Sequence, residues 1–194
     1  MADFYFNKGL SLLNEKENKI SQRNFIKAIN YNPKISHYYL ASAGSLTKEN
    51  PQRALEIIGR GIQNNPFESR LWIQRADIYL LIAGQEKDEK AKAESYQLSE
   101  KDLLKTIELY PILAEAHLKL GVIYMSEGKS QETISEWLKV IDINPKESMA
   151  YYNLAVFYYQ AKDKQKAIEF YKKVLVVDPE NTQAQKELQT LLLE

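Results

Sequence analysis

Two pairs of adjacent tyrosines are the first side chains in this sequence whose type and spacing could do chemistry. Tyr151–Tyr152 and Tyr158–Tyr159 lie seven residues apart in the stretch AYYNLAVFYY, residues 150–159. Rings at this spacing could stack on nucleic acid bases, line a ligand groove or pack in a core. The elements that carry the rings decide between these uses.

The other candidate reactive groups are few and scattered. His37 and His117 are too far apart to share a metal ion, and no His, Asp and Glu cluster has metal-ligand spacing. Carboxylate pairs such as Asp88–Glu89 belong to charged runs typical of a solvated surface. No glycine-rich phosphate loop is present, and no nucleophile has a positioned base. We therefore predict no enzymatic activity, no cofactor and no metal site.

Composition limits the class of protein. The 194 residues contain 26 basic and 26 acidic side chains, so the chain has no overall attraction for nucleic acid or anionic membranes. No apolar stretch is long enough to span a bilayer, so direct membrane insertion is not expected. The absence of cysteine and of a signal peptide favours a cytoplasmic protein. An exported domain whose signal segment is absent from this sequence is the alternative.

Five of the six prolines reveal an internal repeat. Pro111, Pro145 and Pro179 are spaced by 34 residues, and Pro33 and Pro66 by 33. Pro66 and Pro111 are 45 residues apart, which exceeds the period of 34 by eleven residues. A period of this size indicates stacked supersecondary units. Placing each proline at position 32 of a 34-residue unit starts the repeats at Ala2, Ser36, Ser69, Ala114 and Ser148.

Small and large side chains recur at fixed positions of this register. Small residues allow two helices to approach closely, and large ones fill the space within and between helix pairs. Position 8 holds Gly9, Ala43, Ala76, Gly121 and Ala155, and position 20 holds Ser21, Ala54, Ser99, Thr133 and Ala167. Position 4 holds Tyr5, Tyr39, Trp72, His117 and Tyr151.

This pattern resembles the tetratricopeptide repeat over the whole chain. The resemblance implies an all-α fold, a right-handed superhelical solenoid of antiparallel helix pairs. We expect one domain, 1–194, with repeats at about 2–35, 36–68, 69–113, 114–147 and 148–181 and a capping helix at 182–194.

The capping helix has its own signals. Thr182 and Gln185 have the spacing of a capping box. Leu188, Leu191 and Leu192 form an apolar stripe, which predicts the face that packs on the last repeat.

An insertion of eleven residues lies within residues 83–102 of repeat 3. Eleven residues are three helical turns, so we expect them to lengthen the second helix without changing its inner face. Gly84 is placed in the turn between the two helices. The extension is either a solvated helix or an arm for a specific partner.

The resemblance also implies a binding surface, because the first helices of tetratricopeptide repeats line a concave face. Tyr151 and Tyr158 hold core positions 4 and 11, whereas Tyr152 and Tyr159 project into the groove. We expect Lys119 and Tyr152 to face solvent without a partner. The candidate partner-binding residues are Arg70, Gln74, Asp77, Lys119, Val122, Tyr152, Asn153, Val156 and Tyr159.

One known binding mode is absent from this groove. Family members that grip the acidic tails of chaperones use lysine, asparagine and arginine at five groove positions. In repeats 1–3 these positions hold Phe6, Leu10, Ala41, Arg70 and Gln74, and the later repeats match no better. The chain therefore does not resemble that carboxylate-clamp type.

The predicted function is a non-enzymatic scaffold that binds a protein or peptide segment in the concave groove. Nucleic acid binding is not expected, because only two of the four tyrosines face outward and no basic track accompanies them. The alternative is an assembly module that self-associates, as a homodimer, through its N-terminal edge. Phe4 and Phe6 lie at that edge without a preceding cap.

Overall fold

The computed structural model describes residues 1–193, which form eleven α-helices and no strand. The predicted all-α fold of helix pairs is confirmed. The helices are α1 (Ala2–Asn14), α2 (Asn18–Tyr31), α3 (Ser36–Leu46), α4 (Pro51–Asn64), α5 (Ser69–Gln85), α6 (Glu89–Leu109), α7 (Ala114–Ser126), α8 (Ser130–Ile143), α9 (Ser148–Gln160), α10 (Lys164–Val177) and α11 (Thr182–Leu193).

These helices belong to two compact units. The N-terminal unit, Met1–Tyr110, contains α1 to α6, and the C-terminal unit, from Pro111 onward, contains α7 to α11. In each unit a first helix packs against the second helix that follows it in the chain, and α11 packs on α10. Each unit has its own apolar core, centred on Tyr39 and Ile58 in the N-terminal unit and on Trp137 and Tyr171 in the C-terminal unit.

Proline determines where the second helices end. All five second helices end two residues before a proline, whose ring and missing N–H group cannot continue a helix. The first helices begin where the sequence register starts its repeats, at Ala2, Ser36, Ser69, Ala114 and Ser148.

Small residues allow the two helices of a pair to pack closely. All ten residues at positions 8 and 20 are buried. A Cβ atom on Gly9 would lie 2.7 Å from the ring of Phe25, and one on Gly121 would overlap the ring of Trp137. The hydroxyl group of Ser21 also donates to the carbonyl oxygen of Gly9 at 2.7 Å. Only small residues at these positions permit such close approach.

The insertion in repeat 3 is shared between two helices, so its placement in the second helix alone was wrong. The first helix α5 has 17 residues where α7 and α9 have 13, and the second helix α6 has 21 where α8 and α10 have 14. Four and seven residues are about one and two helical turns, so each helix keeps its inner face. Gly84 lies inside α5, and Asp88 caps α6 by accepting from the Ala91 N–H group at 2.8 Å.

The cap of α11 also differs from the prediction. The Asn181 side chain accepts a hydrogen bond from the Ala184 N–H group at 3.0 Å, so Asn181 is the N-cap. Thr182 is the first residue of the helix, and the predicted capping box with Gln185 is therefore wrong.

The apolar stripe of α11 is rotated from its predicted position. Ala184 and Leu191 are buried and Leu188 packs against the same core, whereas Leu192 is exposed. The predicted stripe was therefore wrong at Leu192. The spacing of i, i+4 and i+7 follows one helix face, and Leu192 lies beyond its edge.

At the N-terminal edge the two phenylalanines differ. The ring of Phe6 lies 4.9 Å from the rings of both His37 and Tyr38 on α3, so this residue is covered by its own chain. Phe4 is 61% exposed. The hydroxyl group of Tyr38 donates to Asp3, which further ties α1 to α3.

Candidate functional site

A side chain at the start of four first helices, and of α11, binds the turn that precedes it. Position 4 carries a ring with an N–H or O–H group in α3, α5, α7 and α9, and an amide in α11. Each donates to the carbonyl oxygen of the proline six residues earlier. The pairs are Tyr39–Pro33 at 3.0 Å, Trp72–Pro66 at 2.9 Å, His117–Pro111 at 3.0 Å, Tyr151–Pro145 at 3.3 Å and Gln185–Pro179 at 2.7 Å. Sequence reasoning missed these bonds, although a donor at position 4 was a visible signal.

His117 is fully engaged by its neighbours. A carbonyl oxygen only accepts, so Nε2 of His117 carries the proton that it donates to Pro111. Its Nδ1 atom lies 2.6 Å from Oε2 of the buried Glu136, and Nζ of Lys139 lies 2.6 Å from the other Glu136 oxygen. Neither ring nitrogen is left to act as a base or as a metal ligand.

Two of the four paired tyrosines border the surface that was predicted to bind a partner. Tyr159 is 46% exposed, whereas Tyr152 is half-buried and meets the ring of Tyr171 edge-on at 5.8 Å. Tyr152 therefore does not project freely into solvent, and that expectation was wrong. Burial and the nearby Glu187 carboxylate raise the pKa of Tyr152 above its ordinary value, so its hydroxyl group stays neutral at physiological pH.

The other two tyrosines, Tyr151 and Tyr158, are half-buried rather than fully inside the core. Tyr158 stacks on Phe170 with a centroid distance of 5.5 Å. In repeat 2 the position-4 residue Tyr39 is completely buried, and a whole helix pair follows it. Tyr5 holds position 4 of repeat 1 and is half-buried like Tyr151, so the burial of this position differs from repeat to repeat.

Six of the nine candidate residues lie on α7 and α9 of the C-terminal unit. We call this surface the first-helix face. Val122 and Tyr159 are exposed, as is the neighbouring Met149, while the other four candidates are half-buried. The six candidates are Lys119, Val122, Tyr152, Asn153, Val156 and Tyr159.

Clefts lie at both ends of α9. One cleft, of about 190 Å³, is bordered by Met149 and Tyr152 on α9 and by Gln183 on α11. A larger cleft, of about 410 Å³, is bordered by Tyr159 on α9 and by Leu191 on α11. Tyr152 and Tyr159 thus each border a recess that a partner side chain could enter.

Lys119 has a partner on its own helix. Its Nζ atom lies 3.5 Å from Oε1 of Glu115, one turn earlier on α7. The expectation that Lys119 lacks a partner was wrong, because an acidic residue four positions before a lysine can pair with it on a helix surface.

The three remaining candidates lie on α5 in the N-terminal unit. Arg70 pairs with Glu68 through its Nε atom at 2.9 Å, and the bond lowers the pKa of the Glu68 carboxyl group. Gln74 donates from Nε2 to the carbonyl oxygen of Leu40 at 3.0 Å, which leaves its buried Oε1 atom without a hydrogen bond. Gln74 and Asp77 border one cleft of about 460 Å³.

Residues 1–193 contain no group of three or more His, Asp and Glu side chains that could hold a metal ion. Across the same residues no helix is long and apolar enough to cross a membrane.

Comparison with known proteins supports the repeat register. Residues 114–147 and 148–181 each match a family model described as tetratricopeptide repeat. No curated protein sequence matches the chain.

Several solved structures resemble the whole chain. A thermophilic TPR protein of Thermus thermophilus, TTC0263, shares 17% identity with a TM-score of 0.76 and covers 100% of both chains. A MamA fragment from Desulfovibrio magneticus RS-1 shares 18% identity with a TM-score of 0.73, covering 93% of this chain and 97% of that one. YrrB, described as a TPR protein with an unusual peptide-binding site, shares 20% identity with a TM-score of 0.68, covering 97% of this chain and 92% of its own.

The same register thus runs through every helix pair, and two consecutive repeats match the family model. Residues 114–181 are two tetratricopeptide repeats, and the chain as a whole has the fold of tetratricopeptide repeat proteins.

Proposed function

We propose that this protein is a non-enzymatic scaffold that binds a peptide or protein segment on the first-helix face of its C-terminal unit. The observation that carries the proposal is the set of exposed apolar side chains on α7 and α9. Val122 is 42% exposed, Met149 50% and Tyr159 46%. Exposed apolar side chains with recesses beside them are typical of a surface that a partner covers.

Aromatic and aliphatic anchors would supply most of the binding energy. Tyr159 and Tyr152 offer large rings at the two clefts beside α9, and tyrosine is common among residues that dominate binding. Val122 and Val156 extend the apolar surface between them. A segment with apolar side chains at regular spacing, either extended or helical, fits this arrangement.

Polar groups on the same face would set the register of the segment. Asn153 offers an amide with donor and acceptor groups. Lys119 pairs with Glu115 on the surface of α7 and brings a positive charge to this face, which would attract a carboxylate of the partner.

Three further contacts are proposed in the N-terminal unit. Gln74 and Asp77 border a cleft on α5 that a side chain of the partner could enter. Arg70 lies at the start of the same helix.

The tetratricopeptide repeat family and the similar solved structures support a scaffold function. Tetratricopeptide repeats are generally non-catalytic scaffolds, and one solved structure that resembles this chain, YrrB, is described as having a peptide-binding site. The likeness to YrrB supports the fold, and the proposed site on this chain rests on its own exposed side chains.

The test compares two valine variants that make the same change on different helices. Val122→Glu lies on the first-helix face, and Val176→Glu lies on the second helix α10, where Val176 is 81% exposed. Proteins captured from a lysate by the parent chain are purified, and their binding is measured by calorimetry. We expect Val122→Glu and Tyr159→Ala to weaken binding by about tenfold or more, because each removes an apolar contact.

Val176→Glu should bind like the parent, and all three variants should melt near the parent temperature because the side chains are exposed. Equal binding by the parent and both face variants would overturn the proposal.

A second candidate is self-assembly through the N-terminal edge. Met1, Phe4 and Tyr31 lie near this edge, and they are 77%, 61% and 56% exposed. A second copy of the chain could cover this apolar surface.

A further inference from the structure

A cleft in the N-terminal unit lies outside the proposed first-helix face. It lies between the second helices α2 and α4 and has a volume of about 460 Å³. Its apolar floor consists of Ile26, Leu46 and Ile57. Ile57 is 2% exposed and the other two are half-buried, so the floor is held in place by the core while part of it meets solvent. We call this feature the second-helix cleft.

Three cations form the rim of the second-helix cleft. Arg23 and Lys27 belong to α2, and Arg53 belongs to α4; all three are exposed. Lys19 continues the α2 row one turn earlier, so positions i, i+4 and i+8 of this helix are all basic. Like charges at this spacing repel one another and weaken a helix. A row of this kind costs stability, and a partner of opposite charge would remove the cost.

Nearby acids balance the charge of this rim only in part. Helix α2, with the sequence NKISQRNFIKAINY, contains no acidic residue, and the only acid of α4 is Glu56, which pairs with Arg53. Nζ of Lys27 lies 5.0 Å from the centre of the Tyr5 ring. The two helices together carry five basic residues and one acidic residue, in a chain whose formal net charge is zero. Two further acids lie at the start of α2, where Glu17 is the N-cap residue and Glu49 accepts a hydrogen bond from Asn18 at 2.7 Å. The excess of positive charge therefore lies further along α2, on Arg23 and Lys27.

A polar wall holds the shape of the second-helix cleft. Nε2 of Gln22 donates to the carbonyl oxygen of Ser42 at 3.0 Å, and the Ser42 hydroxyl group donates back to Oε1 of Gln22 at 2.9 Å. Gln22 also contacts the hydroxyl group of Ser45. Both ends of the amide are satisfied, so Gln22 positions α2 against α3. A site that is already formed loses less entropy when it binds.

We propose that the second-helix cleft binds an acidic peptide segment that places one or two aliphatic side chains on the floor and carboxylates against the rim. The apolar floor has room for such side chains, and the three cations surround it with the complementary charge. The charge complementarity favours binding and speeds encounter.

Other polyanions fit this geometry less well. The side chains that line the second-helix cleft include no aromatic ring, whereas single-stranded nucleic acid needs rings on which its bases stack. Binding to an anionic membrane needs apolar side chains that protrude into the lipid, and here the apolar groups are recessed between the cations.

The probe is a fluorescently labelled ten-residue peptide in which glutamate and leucine alternate, and its binding is followed by anisotropy. Two control peptides replace leucine by serine or glutamate by lysine. We expect the glutamate–leucine peptide to bind at least about tenfold more tightly than either control, because it alone supplies both chemistries. Added salt should weaken its binding, because the rim charges are exposed and screened.

Variants of the chain locate the site. Arg23→Glu reverses a rim charge and Arg53→Gln removes one, and each should weaken the binding of this peptide by about tenfold. Lys172→Glu is the matched control, because Lys172 is an exposed cation on the second helix α10. It should bind the peptide like the parent. Circular dichroism should show the same helical content in all three.

Two outcomes would overturn the proposal. One is equal peptide binding by Arg23→Glu and Lys172→Glu. The other is tighter, Arg23-dependent binding of single-stranded DNA or of phosphatidylserine vesicles than of the peptide. Tyr159→Ala should leave the peptide affinity unchanged, so this test fails or succeeds independently of the first-helix face.

Discussion

At the scale of single residues, the glycine at position 8 of repeat 4 has no room for a side chain. Gly121 lies against Trp137, and an added Cβ atom would overlap the indole ring. Gly59, in the middle of α4, has no atom within 4 Å of the corresponding position. The same substitution should therefore have opposite effects at the two sites.

We expect Gly121→Ala to lower the free energy of unfolding by about 2 kcal/mol, as overpacking of a tight core does. Gly59→Ala should raise it by roughly 0.5–1 kcal/mol, because alanine loses less backbone entropy in a helix. Urea unfolding followed by circular dichroism measures both. A stabilised Gly121→Ala chain would show that α7 and α8 can separate without loss.

The sequence register predicted which residues are small and buried, but it did not predict how exposed each large residue is. The exposure of a large side chain differs between repeats at the same position. Tyr39 and Tyr151 hold the same position of their repeats, yet Tyr39 is buried and Tyr151 is half-buried. Ion pairs are equally local, and the Lys119–Glu115 pair follows from helix spacing that the prediction did not apply.

At the scale of helices, the lengthened pair α5–α6 can be tested by shortening it. Removing residues 82–85 from α5 and 89–95 from α6 leaves helices of 13 and 14 residues, the lengths of α9 and α10. Ser99 then becomes the fourth residue of its helix, as Ala167 is in α10. The variant keeps the inner face of both helices.

We expect this paired deletion to fold with a cooperative melt and to lose less than about 2 kcal/mol, because only the buried residues at the tip, such as Ala83, are removed. Deleting residues 89–99 from α6 alone removes the same number of residues. This control should lose far more stability, since α5 then has no partner along its last turns. If the two deletion variants had the same free energy of unfolding, the insertion would not be shared between α5 and α6.

Periodicity alone could not place the insertion. Eleven residues in one helix, or four and seven in two helices, preserve the buried faces equally well. Gly84 suggested a turn, but glycine is tolerated inside a helix. The better signal was Asp88, a preferred N-cap residue, followed by the helix-forming stretch of α6.

At the scale of the whole molecule, the exposed N-terminal edge predicts self-association at high concentration. Light scattering should give a monomer mass at low concentration and approach twice that mass as the concentration rises, because an exposed apolar edge favours a partner. Phe4→Glu should abolish the increase. Phe67→Glu is the matched control, since Phe67 is 73% exposed outside this edge, and it should still associate.

A parent chain that scatters as a monomer at every concentration would contradict the self-assembly candidate. The first-helix face and the second-helix cleft would be unaffected by that result, because neither includes Phe4.

The placement of the two tryptophans gives each unit its own optical signal. Trp137 is buried in the C-terminal unit, and its Nε1–H group donates to the carbonyl oxygen of Leu118 at 3.1 Å. Trp72, in the N-terminal unit, is half-buried with the guanidinium group of Arg75 5.1 Å from its ring centre. Fluorescence emission shifts to longer wavelength as an indole meets water, so each ring reports the unfolding of the unit around it. Chains that keep one tryptophan, with phenylalanine in place of the other, separate the two signals and measure how closely the folding of one unit is coupled to that of the other.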